Sequence, residues 1–389
     1  MQQNRFIGSL LIIAGTTIGA GMLALPLAAS ALGFPLAIAA MLIIWALMSY
    51  TALLMLELHQ DAQQDATLHT LARRYLGRPG QWVATASMLF LFYALCAAYI
   101  AGGGEQLTSR LTPLLMLPDW SGALIWTAVV AALIISGTGK VDLVNRGLFT
   151  LKLIALAVIL VLLMPKIEWI RLQATPAQTA GMMTSMLAAL PVIFTSFGFH
   201  GSIPSVVRYL GVDIKKLRLA ILLGSALPLI VYCLWLMVSI GNLGQSALMQ
   251  QAGLSELVTG LSAAVNSPAL QSVIGGFADL ALATSFLGVA LGLFDFIGDM
   301  LRQKRLVTGL ITFAPPLAFA LCYPSGFIMA LGYAAIALVI LAIFLPVAMV
   351  WQKRHQAASE GNYRTQGGTV GLLLAMLSGC AIIGAQLLA

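Results

Sequence analysis

Apolar residues fill this chain in long runs, and polar residues collect between them. A membrane-crossing helix needs about 20 predominantly apolar residues. On that measure the pattern predicts spans near 6–31, 33–58, 81–108, 121–137, 146–164, 181–210, 216–240, 269–299, 305–323, 326–351 and 367–388. The runs are continuous rather than alternating, so they read as about eleven helices and not as barrel strands. The weakest points are the short fourth span and the boundary CYPSG at 322–326. Residues 242–268 keep helical periodicity, as in LSELVTGLSAAV at 254–265, and read as short helices over the outer face. With no linker or low-complexity stretch between runs, 1–389 reads as one all-α polytopic membrane domain.

Composition sharpens this picture. Hydrophobic residues make up 60% and charged residues 8%, against about 25% charged in a soluble domain. The net charge of +7 therefore does not point to nucleic acid. With a cytoplasmic N-terminus, the inner side receives Arg5, Arg73, Arg74, Arg78, Lys140, Arg146, Lys152, Arg208, Lys215, Lys216, Arg218, Arg302, Lys304, Arg305, Lys353, Arg354 and Arg364. The outer side receives only Arg110, Lys166 and Arg171. That is the positive-inside asymmetry, and an odd number of spans then puts the C-terminus outside. The first run is too long for the apolar region of a signal peptide, about 7–15 residues, so it reads as a retained span. Cys96, Cys233, Cys322 and Cys380 lie in apolar runs without metal-ligand spacing and read as small hydrophobes.

Two spans are interrupted at their midpoints. The first carries GTTIGAGM at 15–22, followed by Pro26. The sixth carries TSFGFHGSIPS at 195–205, with Gly198, Gly201 and Pro204. They stand five spans apart, so equivalent helices run in opposite directions, as in two inverted five-helix halves. An unwound turn in hydrocarbon frees backbone groups that each cost several kcal/mol unless they grip something. Half-helix N-termini attract anions, and half-helix C-termini attract cations. A zwitterionic amino acid needs both. The other reading of Gly15, Gly19 and Gly21 is close helix packing.

The stretches GTTIGAGMLALPLAASALGFP, PVIFTSFGFHGSIPSVVRYL, FADLALATSFLGVALGLFDF and FAPPLAFALCYPSGFIMALGYA resemble the bacterial hydroxy and aromatic amino acid permease family, within it most nearly the tyrosine-specific members. The resemblance runs along essentially the whole chain. It implies membership of the amino acid–polyamine–cation superfamily and a leucine-transporter-type five-plus-five inverted repeat, with helices 1 and 6 broken at the midplane. The repeats would be 1–164 and 181–351, with 367–388 an additional helix. It implies an inner-membrane importer of aromatic amino acids, tyrosine in particular, coupled to protons; the alternatives are a tryptophan or broader hydroxy/aromatic permease, or a sodium-coupled symporter of the same fold. It implies no cofactor and no obligate protein partner.

In that fold the unwound first helix faces the substrate carboxylate. Here this means the amides of Thr16, Thr17, Gly19, Ala20 and Gly21, with the threonine hydroxyls as extra donors. Carbonyls near Thr195, Ser196, Phe197 and Gly198 would meet the amino group, and Phe197 or Phe199 would close over the ligand. On the third span Tyr93, Cys96 and Ile100 share a helical face, either beside the substrate ring or in ordinary packing. Sodium-coupled relatives hold the ion with a hydroxyl pair placed like Thr284 and Ser285, and some proton-coupled relatives fill that place with a fifth-helix lysine. Lys152 fits that position. It either carries the proton, snorkels to the cytoplasmic face or makes a structural ion pair. His200, the one histidine far from an aqueous edge, is either a functional titratable group or a neutral imidazole bonded to a freed carbonyl.

Asp279 at membrane depth requires a partner or an aqueous vestibule. Asp295 and Asp299 face water or the basic loop at Arg302. Glu105 reads as an outer gate or as plainly exposed. Trp82, Trp120, Trp169 and Trp351 fit an interfacial belt. The spans hold too few polar residues for a continuous channel pore, and no hydrolase or metalloprotease motif appears.

Overall fold

Continuous apolar runs fold as helices because lipid supplies no partner for an open strand edge. Every regular element among the described residues is helical. The computed structural model describes residues 2–62, 66–116, 118–173, 182–211, 213–251, 253–265, 268–356 and 363–388. The helices are α1 (Gln2–Thr17), α2 (Gly21–Ala29), α3 (Gly33–His59), α4 (Leu68–Leu115, kinked at Gly77 where φ is 70°), α5 (Ser121–Ser136), α6 (Thr138–Leu163), α7 (Met182–Ser196) and α8 (Ile203–Leu210). They continue as α9 (Ile214–Leu243), α10 (Gln245–Met249), α11 (Leu254–Val265), α12 (Pro268–Leu301), α13 (Arg305–Cys322), α14 (Phe327–Val339), α15 (Leu345–Gln356) and α16 (Gly368–Leu388). Wider i→i+5 turns over Ile340–Phe344 join α14 to α15.

Nine helices among the described residues are long and apolar enough to cross a membrane, beside two shorter apolar ones, Arg5–Thr17 and Ser121–Ser136. The count departs from eleven at the first and fourth expected spans. Helix α1 stops at Thr17, and the run Gly21–His59 continues through the second expected span. Helix α5 has only 16 residues. A turn separates α13 from α14 at the CYPSG stretch, and α10 and α11 occupy the patterned segment between α9 and α12.

Local chemistry sets the ends of α9. Asp213 caps its first turn by accepting the Lys216 N–H at 3.1 Å. At the other end Gly244 turns the chain out at φ 82°, a conformation that favours glycine, and donates to Ile240 O at 2.8 Å.

Helices α1 and α3 pack on α9, and α2 packs on α7 and α9. Helix α4 packs on α5, α12 and α13, and α6 on α12. Helix α14 lies between, touching both α4 and α7. Lipid gives no hydrophobic drive to these contacts, so close approach of small residues matters. A methyl group on Gly104 would stand 2.8 Å from the Ala123 Cα, and one on Gly122 would run into Gly104 O. The α4–α5 crossing is therefore backbone against backbone. At the end of α3, Glu57 is 3% exposed and Arg354 of α15 is 7% exposed. Arg354 grips both Glu57 oxygens, at 2.9 and 2.7 Å, and the Thr365 N–H donates to Oε2 at 2.8 Å. This buried pair fixes α15 and the approach to α16 onto α3.

Candidate functional site

Helix α1 makes its last turn when the Ile18 N–H bonds to Ala14 O at 2.8 Å, and the carbonyls of Gly19 and Ala20 already serve α2, through Met22 and Leu23. The Thr17 and Ile18 carbonyls are left to other helices. Thr17 O accepts the Tyr232 hydroxyl of α9 at 2.5 Å, and Ile18 O accepts Lys152 Nζ of α6 at 2.8 Å. The Ala20 N–H donates to Ser285 Oγ of α12 at 2.8 Å. Glycine is needed beside it, since a methyl on Gly19 would lie 2.6 Å from that oxygen. The N–H groups of Gly19 and Gly21 meet no acceptor among the described residues.

The end of α7 tightens. Phe197 and Gly198 donate to the carbonyls three residues back, both at 3.1 Å, and Phe199 closes a still shorter turn onto Phe197 O at 2.9 Å. Such narrowing is common at helix ends. The Ser196 carbonyl takes the Tyr232 hydroxyl at 2.8 Å. Ser196 Oγ donates to Val192 O at 2.8 Å and lies 3.2 Å from Gly21 O. Gly21 has room for no more, since a methyl there would approach Ser196 Cα to 3.3 Å. The α1–α2 and α7–α8 junctions thus touch.

Lys152 is 1% exposed. Its Nζ also donates to Thr284 Oγ1 at 3.1 Å and stands 4.5 Å from the centre of the Phe149 ring. Thr284 spends its own proton on Leu280 O at 2.8 Å, so its oxygen is free to accept. Phe149 in turn packs towards Gly15, where a methyl would meet its ring at 3.4 Å. The side chain is buried and runs to α1 and α12, which does not fit the snorkelling alternative. Carbonyl, hydroxyl and ring replace the hydration that an ammonium loses on burial.

Other expected residues lie elsewhere or are occupied. The Thr16 and Thr17 hydroxyls donate back into α1, to Ile13 O at 2.9 and 2.7 Å, so they are not spare donors at the junction. The Ala20 amide is held by Ser285. Thr195 Oγ1 donates to Leu331 O of α14 at 3.0 Å. Phe197 and Phe199 are both fully buried; Phe197 meets Tyr232 edge-on and Phe199 stacks on His200. His200 Nε2 pairs with Thr51 Oγ1 of α3 at 2.9 Å, a side-chain partner in place of the expected freed carbonyl.

Tyr93 takes the packing alternative in the structure. Its hydroxyl donates to Ile311 O of α13 at 2.9 Å. Pro315, four residues on, has no N–H to give that carbonyl, and Tyr93 supplies the missing donor. Its ring lines an apolar crevice of about 380 Å³ with Phe90, Pro316, Phe319 and Tyr333, and no junction residue lines it. Cys96 and Ile100 are fully buried in the packing of α4. Asp279 finds its partner in Arg110. Glu105 is neither plainly exposed nor free: Oε1 accepts the Ser255 N–H at 3.0 Å and caps the first turn of α11. Tyr232 was not singled out by the sequence reading. The available signal was a phenol in the middle of an apolar run, which needs a hydrogen-bond partner once buried.

The C-terminal ends of α1 and α7 thus meet at the Tyr232 hydroxyl, and the buried ammonium of Lys152 holds the next carbonyl of the α1 end. The tryptophan/tyrosine permease family model matches residues 2–386. The chain belongs to that family. It is 43% identical to tyrosine-specific transport system 1 of Haemophilus influenzae, covering 97% of this chain and 96% of that protein. It is 32% identical to a tryptophan-specific transport protein of Pseudomonas aeruginosa, over 98% and 94%. It is 33% identical to glutamine transporter 2 of Aliivibrio fischeri, over 98% and 99%. These relatives are named as transporters, not enzymes, and this permease is of their kind.

Proposed function

We propose that this permease imports aromatic amino acids, tyrosine foremost, across the bacterial inner membrane by proton-coupled symport and alternating access. The observation that carries the reading is Lys152, whose ammonium bridges Ile18 O and Thr284 Oγ1. A sodium ion held by a first-helix carbonyl and an α12 hydroxyl would need that same space. The ammonium fills it and repels a second cation. A proton on Lys152 then ties α1 to α6 and α12, and its loss to the cytoplasm loosens them.

In this reading the two junctions are midplane breaks in the first and sixth helices of a leucine-transporter-type inverted repeat. The halves are 1–164 and 181–351, with 367–388 added. The N–H groups of Gly19 and Gly21 take the substrate carboxylate, and the carbonyl ends of α1 and α7 take the ammonium. The N-terminus is cytoplasmic and the C-terminus periplasmic. Identity to the tyrosine-specific relative supports tyrosine. The tryptophan and glutamine relatives favour a second reading, a broader permease of the same mechanism.

The test is tracer uptake in proteoliposomes with pH and sodium gradients imposed separately, and with tyrosine, tryptophan, phenylalanine and glutamine as competitors. Uptake should follow the inward proton gradient and ignore replacement of sodium by choline. Lys152→Ala should lose accumulation. Sodium-driven accumulation in the wild type, or normal proton-driven accumulation in Lys152→Ala, would refute the mechanism.

A further inference from the structure

One phenol proton serves two helix ends. Tyr232 is fully buried in α9, with its ring edge-on to Phe197 at 5.2 Å and 68°. Its oxygen stands 2.5 Å from Thr17 O and 2.8 Å from Ser196 O. Both carbonyls belong to the C-terminal ends of helices and carry the negative end of a helix dipole. A phenol has a single proton to donate, so the two carbonyls share it and neither is fully satisfied. Without that hydroxyl, two like-signed helix ends would face each other across the gap and part. The 3.2 Å approach of Ser196 Oγ to Gly21 O does not replace it, because it joins α7 to α2 and puts no bond between the ends of α1 and α7.

We propose that Tyr232 is a positioning residue of the transport site: its hydroxyl holds the carbonyl ends of α1 and α7 convergent, so that a substrate ammonium meets both. This rests on the reading above, in which those carbonyls receive the amino group. An ammonium brings three donors to a pair of acceptors that one phenol proton only half satisfies. Ring and hydroxyl have separable roles, since the edge of the ring packs on Phe197 and the oxygen alone reaches the carbonyls.

The experiment measures how much the amino group contributes to binding. In proteoliposome exchange of labelled tyrosine, half-inhibition by tyrosine is compared with half-inhibition by 3-(4-hydroxyphenyl)propionate, which lacks the amino group. Charge-assisted hydrogen bonds imply a wild-type preference of about 10- to 150-fold. In Tyr232→Phe the preference should shrink by about tenfold or vanish, whereas general damage to the fold would weaken both ligands alike and leave the ratio unchanged. If the phenylalanine variant does not insert, p-fluorophenylalanine at position 232 fills the space without a donor and carries the same expectation. A wild-type ratio in either donor-free variant, or a larger one, overturns the role of Tyr232. Absence of any amino-group preference in the wild type overturns the reading beneath it, and the proposal with it.

Discussion

Gly19→Ala tests whether the α1–α2 junction is held by Ser285. The new methyl would lie 2.6 Å from Ser285 Oγ, closer than real contacts allow. The hydroxyl can rotate away, so the steric cost itself is small. Rotation, however, breaks the 2.8 Å bond from the Ala20 N–H and leaves a buried donor unpaired, which costs about 1–3 kcal/mol, or roughly 5- to 150-fold in an equilibrium. Ser285→Ala removes the same bond from the other side. In that background the nearest remaining atom of residue 285 is its Cβ, 3.8 Å from the added methyl, an ordinary contact. The double variant should therefore cost about as much as either single one. The interaction term in the double-mutant cycle should be about −1 to −3 kcal/mol. Denaturation midpoints in detergent give the stability cycle, and tyrosine exchange rates give the functional one. Costs that add within about 0.5 kcal/mol would show that Gly19 and Ser285 act separately and would refute the reasoning.

Three shorter predictions follow from the same geometry. Glu57→Gln strips the charge from a buried pair with Arg354 and should destabilise the fold by about 3–5 kcal/mol, read as a lower thermal midpoint; an unchanged midpoint would mean the pair is dispensable. Tyr93→Phe uncovers the carbonyl that Pro315 leaves bare and should cost about 1 kcal/mol of stability with little change in apparent tyrosine affinity. A large affinity change there would restore Tyr93 to the substrate pocket. A periplasmic-active reporter fused after the C-terminus should be active, and one in the loop at Arg73–Arg78 silent; the reverse pattern would overturn the charge-based orientation.

Some of this arrangement was legible in the sequence for identifiable reasons. Glycine and proline in the middle of an apolar run have few harmless explanations, so the stretches at 15–22 and 195–205 drew attention, and they contain the ends of α1 and α7. Lys152 was legible as a site candidate because a charge two turns inside a span demands a partner. Which partner it meets depends on how α6 docks on α1 and α12, and periodicity does not encode docking. Tyr93 shows the same limit. Helical spacing puts Tyr93 on one face with Cys96 and Ile100, yet a face does not say which neighbour it meets. The better clue was Pro315, which frees a carbonyl four residues earlier. Tyr232 was hidden because its partners are backbone atoms 215 and 36 residues away, and a backbone carbonyl has no letter in the sequence.

The bonds around the junctions divide into two kinds. Tyr232 joins α1, α7 and α9, helices that already pack together or, with α2, share one packed group. The Trp45 indole and Ser49 hydroxyl on α3 meet Ser225 of α9, at 3.0 and 3.2 Å, within the same group. Lys152 and Ser285, in contrast, reach the junction from α6 and α12, which pack on each other and, through α12, on α4. They join one packed group to another. A protonated amine makes charge-assisted bonds about twice as strong as neutral ones. Removing the proton from Lys152 leaves a donor in place but weakens the link to Ile18 O and Thr284, while the hydroxyl clamp at Tyr232 carries no charge to lose. In the proposed mechanism a single proton thus loosens the contact between the two groups without dismantling the carbonyl pair assigned to the substrate ammonium, as a coupled carrier would require: a site that stays assembled while its attachment to the rest of the protein changes.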